Sequence, residues 1–336
     1  MSPYYAALSD RLLVGGGEWT ERLVGETLEC VAADPRAPDR ALVGTVDSGL
    51  QRTIDGGETW TTALDAGDRV TSVTVSPHDP AVLWAGTEPS AVYRSTNGGE
   101  IWTEREGLAD LDSASRWSFP PRPHTHHVRW IAVAPDDPDQ LYVAVEAGAF
   151  VRSEDGGETW LDHPDGGRRD NHTLATHPDA PDRVYAAAGD GYALSTDRGE
   201  TWDSVERRST KEASGGQPRA RTDPQDGLDH RYVWSVAVHP DDPETVVVSA
   251  AAGARSAHST TGESYVYRTT GKDWERAMDG LPGPDRLARA VLATDAEAFL
   301  ALTNRGLFRS AAGDSWSRLG SWPDAFDQVP RGLAVV

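Results

Sequence analysis

Short apolar segments recur along the chain, and each is cut off by a polar, glycine-bearing turn. "GLQRT" runs into "TIDGGETW" at 53–60, and "AVYRS" runs into "STNGGEIW" at 95–102. The same phrase returns as "SEDGGETW" at 153–160 and "STDRGETW" at 195–202. A Ser or Thr and an Asp or Asn come first; their short side chains accept hydrogen bonds from N–H groups just downstream. A Gly follows where the chain needs positive φ. The closing Trp supplies a large apolar body at the start of the next segment. The pattern predicts a hairpin turn between two β-strands at each copy.

The tryptophans give the period. Trp60, Trp102, Trp160 and Trp202 close full copies, and Trp19, Trp274 and Trp316 close weakened ones, which makes seven units. Three successive gaps are 42 residues and one is 41, while gaps of 58 and 72 are one unit plus an insertion. Pro-x-x-Pro recurs at 35–38, 77–80, 135–138, 178–181 and 240–243, a short stiff turn earlier in each unit. A period near 42 suits one four-stranded propeller blade. The amino-terminal segments "YYAALSD", "RLLVGGG" and "EWTERLV" supply only three strands, and "VPRGLAVV" at the end is one strand too many. The expected architecture is an all-β, seven-bladed β-propeller of four-stranded antiparallel blades, one domain over 1–336. Blade 1 combines 1–26 with 329–336, so the last strand closes the ring.

Ser-x-Asp-x-Gly-x-x-Trp resembles the Asp-box, or BNR repeat, carried by sialidases, sortilin-type receptors and a photosystem assembly factor. The resemblance runs over nearly the whole chain. It implies a propeller and leaves activity open, because one fold hosts many functions. Sialidases hold a substrate carboxylate with an arginine cluster. They have six blades and an Arg-Ile-Pro signature, and neither is found here, so sialidase activity itself is not expected.

Composition narrows the partners. The formal charge is −21 with 53 acidic residues, and Lys occurs only at 211 and 272 against 30 Arg. Such a surface resembles proteins of salt-loving archaea and favours solubility in high salt. It argues against nucleic acid or an anionic membrane as partner, since phosphate is repelled. Cys30 stands alone, no signal peptide is evident and no apolar run approaches a membrane span, so a cytoplasmic monomer is expected.

The insertions point to one face. The phrase turns and the Pro-x-x-Pro turns are expected on the same rim. Loops 105–126, 206–230 and 251–265 then emerge on the opposite rim, where long loops on a rigid scaffold commonly carry function. Trp117 in the first loop is a candidate sugar platform. Aligning the innermost strands on their ends ("VAADP", "VTVSP", "IAVAP", "LATHP", "VAVHP") gives one column: Glu29, Thr71, Arg129, His172, Trp234, Arg289 and Arg331. Arg69, His127, Asp170 and Tyr232 stand beside it, and "PHTHH" (123–127) and "LDHRYVW" (228–234) lead into it. Three arginines converging on a channel require either a bound anion or an internal ion-pair network with Glu29 and Asp170; Arg suits bidentate recognition of carboxylate or phosphate.

Two functional readings follow. In the first, the funnel binds, and as an enzyme cleaves, an anionic, carboxylated, sugar-like molecule by glycoside hydrolase-like or lyase chemistry. Arg129, Arg289, Arg331, Arg69, Trp234, His126, His230 and Arg231 are the candidate ligand-binding residues. His172 or His127 would carry a proton, Glu29 or Asp170 would orient it or act as a second carboxylate, and Tyr232 stands at the mouth. His124, His126 and His127, joined by His172 and His230, form a candidate set for a divalent metal. In the second reading the propeller is a non-catalytic assembly protein that takes an acidic peptide or protein on its long-loop face.

Overall fold

A computed structural model describes residues 4–67, 69–202 and 225–336. Seven antiparallel sheets surround a central channel, a seven-bladed β-propeller. Their innermost strands are Gly332–Val335, Leu28–Ala33, Arg69–Val75, Val128–Val133, Asn171–Ala175, Tyr232–His239 and Val291–Thr294. Among the described residues five sheets have four strands and two have three. In the blade headed by Val128–Val133 the outer strand shrinks to a single bridge between Arg152 and Leu161. Pro164, three residues on, has no N–H to extend that ladder. In the next blade the segment after Trp202 lies outside the described residues.

The ring closes as the strand count requires. Gly332–Val335 pairs with Tyr4–Ala7, with Tyr5 opposite Ala334, and becomes the inner strand of the first blade. The Arg331 N–H donates to the Ala7 carbonyl at 2.8 Å. The second strand of each blade has neighbouring blades on both faces. Ala41–Thr45, Leu141–Val145, Val184–Ala188 and Phe299–Thr303 are accordingly buried at every position. Outer strands such as Thr61–Leu64 keep water on one side and are polar.

The repeated phrase acts through hydrogen bonds within the turn. Thr53 Oγ1 accepts the Gly57 N–H at 2.9 Å. Asp55 accepts the Thr59 N–H at 2.9 Å and its hydroxyl at 2.6 Å. Ser153/Asp155 and Ser195/Asp197 repeat this arrangement. The Gly56 N–H donates to Asp39 O at 2.9 Å, and Gly98 and Gly156 bond Ala81 and Asp139 likewise, so each phrase turn is tied to the Pro-x-x-Pro turn of its own blade on one rim. Arg198 stands where the other copies have Gly, at φ 58°. Its guanidinium is held by Asp182 and Asp136 at 2.8 and 2.6 Å, which offsets about 1 kcal/mol of left-handed strain.

These turns make the protein acid-sensitive. The Thr59 hydroxyl and backbone N–H hold Asp55 well below the usual carboxylate range, at about 2, and Thr159 lowers Asp155 in the same way. A depressed folded pKa gives stability that is present above the unfolded value near 3.8 and lost as pH falls through the folded one. Melting temperature should therefore drop between pH 4 and pH 2. Asp55→Asn should melt lower than wild type at pH 7 and show a shallower fall over that interval; parallel curves would exclude this role.

On the opposite rim, 106–127 carries two short 3-10 turns, Leu108–Asp110 and Ala114–Arg116, and 252–263 carries one helical turn, Ala254–Ala257. Of the loop expected at 206–230, residues up to 224 lie outside the described set. Trp117 is buried against Val145 and Ala149, and its Nε1 donates to Ser113 Oγ at 3.0 Å. It pins its loop to the disk and cannot be the exposed sugar platform expected from sequence. At the phrase-turn end the channel opens into a wide apolar mouth of about 960 Å³, lined by Val31, Val73, Trp130, Leu333 and Val335.

Candidate functional site

The column of channel residues has a backbone cause. Strand pairing skips one residue near the start of five inner strands: between Leu28 and Cys30, Val70 and Ser72, Val128 and Trp130, Asn171 and Thr173, and Val233 and Ser235. The skipped residues are Glu29, Thr71, Arg129, His172 and Trp234. A β-bulge leaves one residue out of the ladder and re-aims its side chain. The same bulge repeated around the ring gathers these side chains at the long-loop end of the channel. Arg289 and Arg331 arrive from just ahead of their strands, fixed by backbone bonds to Ala257 O at 3.0 Å and Ala7 O at 2.8 Å.

Here a cavity of about 160 Å³ is lined by Glu29, Arg69, Arg122, Arg129, Glu146 and Arg331, together with Thr71, His127 and Trp234. Phe119 and Arg122 reach it from the 106–127 loop and His258 from the 252–263 loop. Two ion-pair groups share the wall. Arg69 bonds Glu29 at 2.7 Å and lies 3.7 Å from Glu88, which Arg122 grips with two bonds of 2.5 and 2.6 Å. Burial raises the Glu88 pKa, but Arg122 outweighs it and keeps the carboxylate ionised.

Glu146 is the second centre. His127 Nε2 is 2.9 Å from its Oε2 and Arg129 Nε is 3.6 Å away, while His172 Nε2 lies 3.9 Å from Oε1. Burial pushes its pKa up; the His127 bond and the electrostatic pull of the neighbouring imidazoles and of Arg129 overcome that and bring it to about 2. Burial lowers His172 and raises Asp170, whose Oδ1 is 3.8 Å from His172 Nε2.

Trp234 forms the apolar wall. The Arg289 guanidinium sits 3.8 Å from its ring centroid and that of Arg129 4.7 Å. The His258 ring meets it edge-on at 4.4 Å. Burial and Arg289 push His258 down to about 2, so its ring is neutral, and its Nε2 lies 3.0 Å from the Tyr232 hydroxyl. Burial raises the Tyr232 pKa, which keeps the phenol protonated.

Arg289 and Arg331 differ from the other arginines. Among the described residues no carboxylate lies within ion-pair distance of either. Arg289 is fully buried; Nη1 donates to Pro330 O at 2.7 Å, but Nε and Nη2 have no partner. Arg331 Nε is likewise buried without a partner. Burial lowers both pKa values; Arg331 and Arg129 add to this at Arg289. A guanidinium stays protonated even so, and the shift reports how unfavourable its charge is there.

The structure thus brings together Glu29, Arg69, His127, Arg129, Asp170, His172, Tyr232, Trp234, Arg289 and Arg331. It does not bring in four others. His124 is exposed, and His126 packs edge-on against Trp117 at 5.3 Å. His230 stacks on Tyr265 at 4.1 Å and bonds the Tyr267 hydroxyl at 2.6 Å, outside the cavity. Arg231 is exposed. The expected metal set of His124, His126 and His127 is therefore not assembled: successive residues of an extended segment face opposite ways, and only His127 turns inward. One group among the described residues does offer three ligand atoms within 4.8 Å of one another, namely Glu146, Asp170 and His172.

The sequence reading missed Glu88, Arg122, Glu146 and His258. Glu88 and Glu146 occupy the same place in successive blades, at the end of the second strand, opposite Arg69 and His127. A second column read on the second strands would have found both.

No protein-family model and no curated protein sequence matches the chain. Solved structures do. A GH74 enzyme from Niastella koreensis superposes with a TM-score of 0.65 at 15% identity, over 98% of this chain and 56% of that one. The GH74 xyloglucanase of Xanthomonas campestris gives 0.62 at 17% identity, over 99% and 52%. YCF48 bound to D1 peptide gives 0.58 at 16% identity, over 90% and 84%. The likeness is one of fold. The chain spans about half the length of these GH74 enzymes and most of YCF48. No helix among the described residues is long and apolar enough to cross a membrane.

Proposed function

We propose that the long-loop end of the channel binds a small carboxylated or similarly anionic molecule. The supporting observation is the fully buried Arg289 and the half-buried Arg331, neither paired with a carboxylate, the second of which lines the cavity. Every other guanidinium on that wall already has an anionic neighbour. Uncompensated buried charge costs stability, and an anion between Arg331 and Arg129 removes the cost. A cavity of about 160 Å³ suits one carboxylate-bearing headgroup.

Glycoside hydrolysis, which the GH74 neighbours raise, is disfavoured as the first reading. It needs a protonated carboxylic acid beside the scissile bond. Of the two carboxylates lining the cavity, Glu146 is held ionised and Glu29 is paired to Arg69. The second reading is recognition of an acidic side chain on a peptide or protein. It is supported by the near-complete span of YCF48, whose structure holds a peptide.

A thermal-shift screen in multi-molar salt tests the proposal, using sugar acids, dicarboxylates, phosphate and an acidic peptide. A ligand at about 100 times its Kd stabilises the native state by about 2.7 kcal/mol. Arg331→Gln should fold without loss of stability and lose that rise. No rise with any anion would sink the small-molecule reading, and a rise with the peptide alone would favour the second one.

A further inference from the structure

We propose that Glu146, Asp170 and His172 form a binding site for one divalent first-row transition-metal ion. This assignment does not rest on the anion-binding reading. It starts from the His172 tautomer. Nδ1 lies 2.8 Å from the Val233 carbonyl. A carbonyl oxygen only accepts, so Nδ1 carries the proton and the neutral ring presents a lone pair at Nε2. That nitrogen is fully buried and has no hydrogen-bond partner. It faces Asp170 Oδ1 at 3.8 Å and Glu146 Oε1 at 3.9 Å. Three electron-pair donors point at one another with no donor hydrogen between them.

A bound cation resolves that arrangement. Donor atoms each about 2.1 Å from one ion lie roughly 3–4 Å apart, and both distances fall in this range. The local cations do not compete for the same atoms. His127 and Arg129 address Glu146 Oε2, while Oε1 is the oxygen turned to His172. Each ligand also has the outer support that metal ligands commonly have. Val233 O orients the imidazole, the Ala147 N–H holds Asp170 Oδ1 at 3.1 Å, and His127 holds Glu146. Gly189 belongs to the same design, because any side chain there would collide with the Asp170 carboxylate.

The donor set selects the metal class. One imidazole and two carboxylates suit zinc, cobalt or manganese better than calcium or magnesium, which prefer oxygen alone. Entry is available, since the Asp170 side chain is 38% exposed. Glu146 lines the cavity, so remaining coordination positions have a route to it.

The test uses the full chain after chelator treatment. Zinc is titrated by calorimetry, and cobalt is titrated by its visible absorption, which reports nitrogen and oxygen ligation directly. One ion per chain is expected, with affinity at least about tenfold weaker in Asp170→Asn. His172→Asn should abolish the cobalt band. His172 is buried and that variant risks not folding; Asp170→Asn, at a partly exposed position, carries the test alone. No saturable binding by wild type, or wild-type affinity in a folded Asp170→Asn, would overturn the site and leave only diffuse binding to the acidic surface.

Discussion

Glu146→Gln should lower the free energy of unfolding by about 3–5 kcal/mol, the usual cost of breaking a buried ion pair from one side. The substitution preserves shape and removes one charge. That charge accepts the His127 bond at 2.9 Å and lies 3.6 Å from the Arg129 guanidinium and 3.9 Å from the His172 ring. Solvent offsets little of the loss, because the carboxylate is nearly inaccessible. Denaturant titration at pH 7 measures the loss. Glu29→Gln is the control: its partner Arg69 is partly exposed and has Glu88 at 3.7 Å as a second anion, so that loss should stay near 1 kcal/mol. Equal losses in the two variants would mean that Glu146 has no special place in the cluster.

The contrast between these glutamates shows what was legible in the sequence. Glu29 lies on an inner strand and falls in a repeated column, so alignment of the repeats finds it. The repeat works because the blades solve the same problem: a turn held by Ser or Thr, Asp and Gly, then an inner strand that in five blades carries a bulge at a fixed place. The bulge itself was not visible, although its consequence was, since side chains at equal distance from equal strand ends must converge. Glu146 was missed because it belongs to the adjacent strand, which antiparallel pairing brings alongside His127. His258 was missed for a different reason. It sits in an insertion that has no periodicity, and its position over Trp234 depends on one helical turn, Ala254–Ala257. His230 and Arg231 fall outside the cavity, because a motif leading into a strand says nothing about the side to which each residue turns. His230 has the aromatic faces of Tyr265 and Tyr267 beside it and takes them.

Arg289→Met should act in the opposite direction, raising stability by about 1–4 kcal/mol while weakening any anion response. Replacement of a buried charge by an apolar side chain of similar volume is often stabilising by that amount. Arg289 is a strong case, because Arg331 and Arg129 add repulsion to the cost of burial. Methionine keeps an unbranched stem against the Trp234 ring and gives up the bond to Pro330 O, a loss of about 1 kcal/mol. A protein that carries such a charge without a ligand keeps it for a reason other than stability. The melting temperature of the variant, read with and without the anion that shifts wild type most, separates the alternatives. Higher intrinsic stability with a reduced shift identifies Arg289 as part of the field that attracts the ligand. A variant that melts lower than wild type would instead make the Trp234 contact and the Pro330 bond the reason the arginine is there, and the channel arginines would then be structural.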